Sequence, residues 1–199
     1  AETKSEYWNG EVYAMAGASR THNLILTNAV ASLGAKLRGR PCELYANDMR
    51  VKVSATGLYT YPDIVIACGP LRFEDQHEDT LLNPSVLIEI LSRFTAAYDR
   101  VAKFDHYRSL ETVTDYVLIS QDRAFVEHRV RHTADRWLLS FYMGLDSVVP
   151  LPSLGCELPM ADIYDKIEWQ DEDATRGMLR AIKEPSEEYH VERPGSPTH

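Results

Sequence analysis

Long hydrophobic runs, closely spaced cysteines and an excess of positive charge are what this chain has least of. Its longest uninterrupted apolar stretch falls far short of the ~18 residues that a membrane span requires, so neither a transmembrane helix nor a membrane partner is expected. Only three cysteines occur in 199 residues, Cys42, Cys68 and Cys156, and none belongs to a CxxC pair. That speaks against a disulfide framework and a structural zinc site, and it reads as the reducing cytoplasm. Acidic residues outnumber Lys and Arg by 30 to 21, for a formal net charge of −9. That argues against salt-driven, non-specific coating of nucleic acid and leaves binding to a local basic patch or a metal-loaded site open. No internal repeat or low-complexity block is present, and Ala1–Glu6 has no basic-then-apolar signal pattern.

What remains is the composition of an ordinary globular protein, 44 % hydrophobic and 26 % charged. The organisation expected is one domain over residues 1–167, followed by a polar acidic tail over 168–199. The tail carries eight acids and four bases, with Pro185, Pro194, Gly195 and Pro197 among them.

Within the domain, Glu11–Met15 reads as a short strand after an Asn9-Gly10 turn. A turn at Gly17–Ser19 precedes a helix capped by Thr21 and running to about Leu37, where Gly39 and Pro41 end it. Leu26, Val30, Leu33 and Leu37 form its apolar stripe, and His22 lies one turn earlier on the same stripe, which turns it inward. Strands are expected at Cys42–Ala46, Met49–Val53, Pro62–Cys68 and Ser85–Ser92, with a polar, mobile surface loop between Gly69 and Asn83. A helix over 97–110 follows, then strands at Asp115–Ser120, Ala124–Val130, Trp137–Tyr142 and Ser147–Leu151, and a short closing helix from Pro159. This order predicts an α/β class, mixed α+β, with one mixed sheet flanked by helices.

Two carboxylates stand out by their surroundings. Asp63 opens Asp63-Ile64-Val65-Ile66-Ala67, and Glu89 sits inside Val86-Leu87-Ile88-Glu89-Ile90-Leu91. Near-continuous apolar runs of this kind belong to strands buried on both faces. An ionised carboxylate there costs several kcal/mol unless a proton, an Arg or Lys, or a metal neutralises it. Asp63 has a plainer explanation in the turn after Pro62; Glu89, amid six residues otherwise apolar, is functional or ion-paired. Asp99 and Lys103 are four apart on the expected helix and share a face with Tyr107 and Leu110. They make either a surface ion pair worth roughly 0.3–0.5 kcal/mol or a face that looks back at the end of the Glu89 strand. Asp48 either caps a turn or hydrogen-bonds within a site. His106, His128 and His132 form no ligand constellation, which sets a zinc hydrolase aside.

The order Pro62-Asp63, then Glu89-Ile90-Leu91, resembles the core of the PD-(D/E)xK nuclease superfamily. The wider set resembles its Uma-type restriction-endonuclease branch: Gly10-Glu11-Val12-Tyr13, Ser19-Arg20-Thr21-His22, Asp48-Met49-Arg50-Val51, Pro62-Asp63-Ile64-Val65, Glu89-Ile90-Leu91-Ser92 with Thr95, Asp99 with Lys103 and Tyr107, and Asp115-Tyr116-Val117-Leu118. It spans about residues 6–167. The resemblance implies a restriction-endonuclease-like fold and hydrolysis of DNA phosphodiester bonds with Mg²⁺ or Mn²⁺. It implies that Asp63 and Glu89 hold the ion with the backbone carbonyl of Ile90, and that Asp63, Glu89 and Lys103 are catalytic. Glu11, His22, Asp48 and Asp99 follow as supporting site residues. A twofold homodimer is a further expectation, since two strands call for two sites, with the strands near Ala124–Tyr142 as its surface.

Two positions depart from the pattern. The motif lysine belongs two residues after Glu89, where this chain has Leu91; Lys103 is the replacement and Lys52 the fallback. Arg93-Phe94 stands where that branch has a Pro and a small residue. Leu91 and the acidic balance support a second reading, a catalytically degenerate module that binds nucleic acid or protein. In a third, Asp63 and Glu89 are neutralised by arginines such as Arg50.

Overall fold

The computed structural model describes residues 5–8, 10–14 and 17–169. The acidic tail expected from residue 168 lies, from residue 170 onward, outside the described residues.

A six-stranded sheet organises the domain, in the order β11-β10-β9-β8-β6-β3. Its strands are β3 (Cys42–Ala46), β6 (Ile64–Cys68), β8 (Val86–Leu91), β9 (Asp115–Ser120), β10 (Phe125–Arg131) and β11 (Trp137–Met143). All six residues of β8 are buried, as are the first five of β9, which matches their near-continuous apolar sequences. β8 and β9 run parallel and the other pairs of this sheet antiparallel. Parallel neighbours cannot be joined by a hairpin, so the chain between them crosses over one face of the sheet. That crossover is helical: α2 (Ala96–Tyr98), a π-helical turn (Asp99–Lys103) and α3 (Phe104–Tyr107). Tyr107, Leu87, Leu91, Tyr116 and Leu118 are buried in one cluster, so the crossover lies on the sheet face that carries the odd-numbered residues of β8.

The helix α1 (Arg20–Leu37) packs against β3 and β8 and buries Ile25, Leu26, Ala29, Leu33 and Leu37. Its end is tied to α4 (Met160–Ile163), where Ser32 Oγ donates to Asp162 at 2.6 Å. A second sheet, in the order β2-β1-β5-β4-β7, comprises β1 (Ser5–Trp8), β2 (Glu11–Ala14), β4 (Arg50–Val53), β5 (Leu58–Thr60) and β7 (Thr80–Leu81). A two-stranded sheet, β12 (Val148–Leu151) with β13 (Cys156–Pro159), precedes α4.

The expected mixed α+β class holds, and several details differ. Ser19, not Thr21, caps α1: its hydroxyl accepts the His22 N–H at 3.0 Å. The Gly69–Asn83 segment is not a free loop. Leu81 and Thr80 are buried in β7, and the Asn83 side chain bonds Pro70 O and the Arg72 N–H. β1, β5 and β13 are too short for a period-2 signal to register.

The expectation of unpaired cysteines is overturned. The antiparallel register of β3 on β6 sets Cys42 directly opposite Cys68, and the two are joined in a disulfide. The apolar contexts of both residues were legible, but only the strand pairing brings them together. A reducing compartment therefore does not follow from cysteine usage. Among the described residues, no helix is long and apolar enough to cross a membrane.

Candidate active site

Asp63 sits just before β6 and Glu89 near the end of β8, so strand pairing brings both to one end of the sheet. They line a cleft of about 1010 Å³ together with His22, Asp99, Lys103 and Glu6. The bend after β3 is shaped by Asn47, whose φ of 65° places it in the left-handed region that asparagine tolerates. Its N–H donates to the Asp63 carbonyl at 2.9 Å, which fixes the Asp63 backbone.

The Asp63 carboxylate is held from two sides. Oδ2 accepts the Ile90 N–H at 2.7 Å, and Oδ1 lies 3.1 Å from His22 Nε2. The inward turn expected of His22 is therefore present, with Asp63 as its partner.

Glu89 lies on the crossover face of β8. Its Oε1 accepts from Lys103 Nζ at 3.0 Å and from the Tyr107 hydroxyl at 2.9 Å. Lys103 comes from the π-helical turn and is 5 % exposed. Its ammonium also meets Glu6 Oε1 at 3.2 Å and Asp99 Oδ1 at 3.4 Å. Three carboxylates thus share one buried cation, and the expected Asp99–Lys103 pair is not a surface salt bridge. A π-turn adds one residue to the helical circuit, a distortion that recurs at functional sites. Tyr116 braces it by donating its hydroxyl to Asp99 O at 2.8 Å.

The electrostatics follow from this count. Burial opposes the charge of Lys103, but Glu89, Glu6 and Asp99 outweigh it and hold the ammonium charged well above the usual lysine range. One lysine cannot neutralise three acids. Burial pushes the Glu89 carboxyl up to about 8; Lys103 opposes the rise, while the charges of Asp99 and Asp63 add to it. Asp99 is raised as well, again by burial and against the pull of Lys103. The site is thus short of positive charge.

That shortage bears on metal binding. Among the described residues there is no group of three or more His, Cys, Asp or Glu side chains that would form a ready-made cage. The chemistry here is a pair of hard carboxylates. It suits a Mg²⁺-type ion, which keeps several waters and takes only one or two protein carboxylates, and does not suit zinc.

Other expected site residues lie elsewhere. Glu11 is on β2 and does not line the cleft; Glu6, on the neighbouring β1, does. Asp48 is also absent from the lining, where its neighbour Asn47 takes the place. Lys52 is occupied by Glu74 and Tyr59. Arg50 donates to Asp79 at 2.9 Å and to Thr80 at 2.7 Å, so it does not neutralise Asp63 or Glu89. Sequence reasoning missed Glu6 because an acid in a four-residue strand carries no local signal; only the register of β1 on β5 brings it near the crossover.

Comparison with known proteins places this geometry in context. A family model described as "Uma2: Putative restriction endonuclease" matches residues 1–161. "Uncharacterized protein sll1609" of Synechocystis sp. is 34 % identical over 144 residues, covering 72 % of this chain and 81 % of that protein. "Uncharacterized protein slr1290" of the same organism is 30 % identical over 161 residues, covering 81 % and 83 %. A solved structure from Anabaena variabilis, described as a "putative nuclease belonging to DUF820", superposes with a TM-score of 0.67 at 19 % identity. It covers 84 % of this chain and 93 % of that one, a likeness of fold.

Proposed function

The chain belongs to the Uma2 family of restriction-endonuclease-like proteins, and from that premise we propose that it is an endonuclease hydrolysing DNA phosphodiester bonds with a divalent cation, Mg²⁺ or Mn²⁺. The observation that carries the reading is the buried Glu89–Lys103 contact at 3.0 Å, beside Asp63 and in an open cleft. A purely structural carboxylate would be matched by its partners. Here the local acids exceed the local cations, which leaves room for one more positive charge.

In this reading Asp63 and Glu89 hold the ion, with the Ile90 carbonyl as a third oxygen. The ion supplies a lowered pKa for bound water and polarisation of the phosphate. Lys103 presents a permanent positive charge toward the reacting phosphate, where it counters the negative charge that develops on attack. Its three carboxylate partners fix that charge in place. His22 orients Asp63 by holding Oδ1, and the Ile90 N–H holds Oδ2. Tyr107 orients Glu89 in the same way. Glu6 and Asp99 position Lys103 rather than touch substrate.

The expected homodimer belongs to the same proposal. β11 is an edge strand on which Leu138, Leu139, Phe141 and Met143 are about half exposed or more, and it is the surface a twofold pairing would use.

The test is cleavage of supercoiled and single-stranded DNA with Mg²⁺ or Mn²⁺, with Glu89→Ala beside the wild type. Metal-dependent cleavage that vanishes in the variant supports the reading. No cleavage with either metal by a folded protein refutes it and leaves the non-catalytic binder, in which Lys103 serves only to neutralise its neighbours.

A further inference from the structure

Phe94 is 98 % exposed, an unusual state for a phenylalanine, and it stands on the rim of the same cleft. A single exposed apolar side chain is ordinary when it rides a loose loop. This one does not. The turn from Ser92 to Thr95 is held by the Ser92 hydroxyl, which accepts the Phe94 N–H at 3.3 Å and the Thr95 N–H at 3.1 Å and lies 3.0 Å from Thr95 Oγ1. The Ser92 carbonyl accepts the Ala96 N–H at 3.0 Å, so the turn runs straight into α2. The ring is thus presented on a fixed support, three residues from the β8 strand end that carries Glu89.

Its neighbours narrow what the ring can meet. Arg93, itself largely exposed, has its guanidinium 3.8 Å from Asp122, another residue of the cleft. Gly17 and Ala18 also line the cleft and add little bulk to it. The lining holds five acids, Glu6, Asp63, Glu89, Asp99 and Asp122, against Arg93, Lys103 and His22 as possible cations. Phosphate attraction alone is therefore a weak way to hold a nucleic acid here. A flat aromatic face offers another: stacking on a base, which every base can provide and which depends little on salt. Bases within an intact duplex are already stacked on each other. Only an unpaired nucleotide has a face to give.

We propose that Phe94, assisted by Arg93, is a base-stacking platform at the mouth of the active site, and that the DNA it receives is single-stranded or locally unpaired. This inference rests on the nuclease reading and deepens it by naming the substrate class and the residue that selects it.

The test uses the full chain in Ca²⁺, with binding followed by fluorescence anisotropy to a fluorescein-labelled thymidine 12-mer and to a 12-base-pair duplex. The wild type is expected to bind the single strand at least about tenfold more tightly than the duplex. Phe94→Ala is expected to lose about 5- to 100-fold on the single strand and nothing on the duplex. Phe94→Trp should retain binding, whereas Phe94→Leu, apolar but without a π face, should fall with the alanine variant. A 2-aminopurine placed in the strand should be quenched by the wild type and not by Phe94→Ala, a signature that a merely structural residue would not produce. Equal affinities for wild type and Phe94→Ala, or a duplex preference in the wild type, overturn the proposal. The Glu89→Ala cleavage assay separates the two levels: metal-dependent cleavage that is indifferent to residue 94 removes the platform and leaves the nuclease. A wild type that binds neither probe also overturns the platform, and cleavage then decides the function by itself.

Discussion

Replacing Lys103 by Met removes a buried cation while keeping most of its stem, so it isolates what the charge does. The ammonium faces Glu89, Glu6 and Asp99 at 3.0, 3.2 and 3.4 Å. Without it, the folded site must either hold uncompensated negative charge or bind one more proton. The second route is cheaper and sets the penalty. Each pH unit above a carboxyl's ordinary value costs about 1.36 kcal/mol to protonate it. Burial raises both Glu89 and Asp99, so the extra proton goes to one of these two carboxyls. With ordinary values of 4.5 for a glutamate and 3.8 for an aspartate, the cost at pH 7 is about 3–4 kcal/mol. That agrees with the ~3–5 kcal/mol typical of a buried pair that loses one partner.

The pH dependence is what distinguishes this mechanism from lost packing. The variant's folded state binds about one proton more than the wild type's, while both unfolded states bind alike. Its stability relative to wild type therefore falls by about 1.4 kcal/mol per pH unit above the unfolded carboxyl values, and the deficit shrinks as pH falls toward them. At pH 5 it should be only about 1 kcal/mol. Urea unfolding of both proteins at pH 5, 6 and 7 measures this directly. In melting temperature, the pH 7 deficit corresponds to about 6–16 °C for a domain of this size. A deficit that is the same at pH 5 and pH 7, or below about 1 kcal/mol at pH 7, would refute the view that Lys103 neutralises this cluster.

Further outcomes follow from the same chemistry. Because Glu89 is raised to about 8, an ion bound between Asp63 and Glu89 must expel its proton. Mn²⁺ affinity should rise by up to about tenfold per pH unit from pH 6 toward 8, and the calorimetric heat should differ between buffers of different ionisation enthalpy. Glu89→Gln should abolish both effects, and a pH-independent affinity in the wild type would contradict the assignment. A separate polar cluster should affect stability alone. Buried Asp115 accepts from Thr114 at 2.8 Å and also from Ser153, and it faces His128 Nε2 at 2.8 Å. Asp115→Ala takes this partner from buried His128, while Thr114 keeps Ser85 O at 3.1 Å and Ser153 is open to water, so the cost is about 1–3 kcal/mol and the melting temperature should drop by several degrees. DNA cleavage by the protein that remains folded should be unchanged; a specific loss of turnover would show that the cluster reaches the site.

The fold was legible where sequence period and burial agree. β8 and β9 announce themselves as near-continuous apolar runs, and α1 by its stripe and its terminating Gly39 and Pro41. Asp63 and Glu89 stand out because charge inside apolar sequence is costly, and Lys103 because it shares a helix face with Asp99 and Tyr107; all three line one cleft. What stayed hidden depends on partners distant in sequence. The second sheet assembles from strands as short as two residues, too brief for any periodicity. Cys42 and Cys68 are 26 positions apart and become neighbours only through the β3–β6 register. Glu6 enters the cleft by the pairing of β1 with β5, which no feature of residues 5–8 foretells.

The departure at residue 91 has a geometric resolution. Side chains alternate along a strand, so Glu89 and residue 91 face the same side of the sheet. Leu91 is 5 % exposed and packs in the cluster that holds Leu87, Tyr107 and Tyr116 beneath the crossover. A lysine there would start in that layer and would have to reach along the strand to Glu89. Lys103 enters the same layer from above, on the crossover that lies over this face, and arrives 3.0 Å from Glu89. The apolar residue at 91 then carries the packing, and the helix carries the charge. This exchange works only if the crossover is rigid at residue 103. The π-turn supplies that rigidity through Asp99, which holds the ammonium at 3.4 Å, and through Tyr116, which holds the Asp99 carbonyl at 2.8 Å. Leu91 therefore does not leave Glu89 without a positive charge beside it: the crossover supplies one, in Lys103.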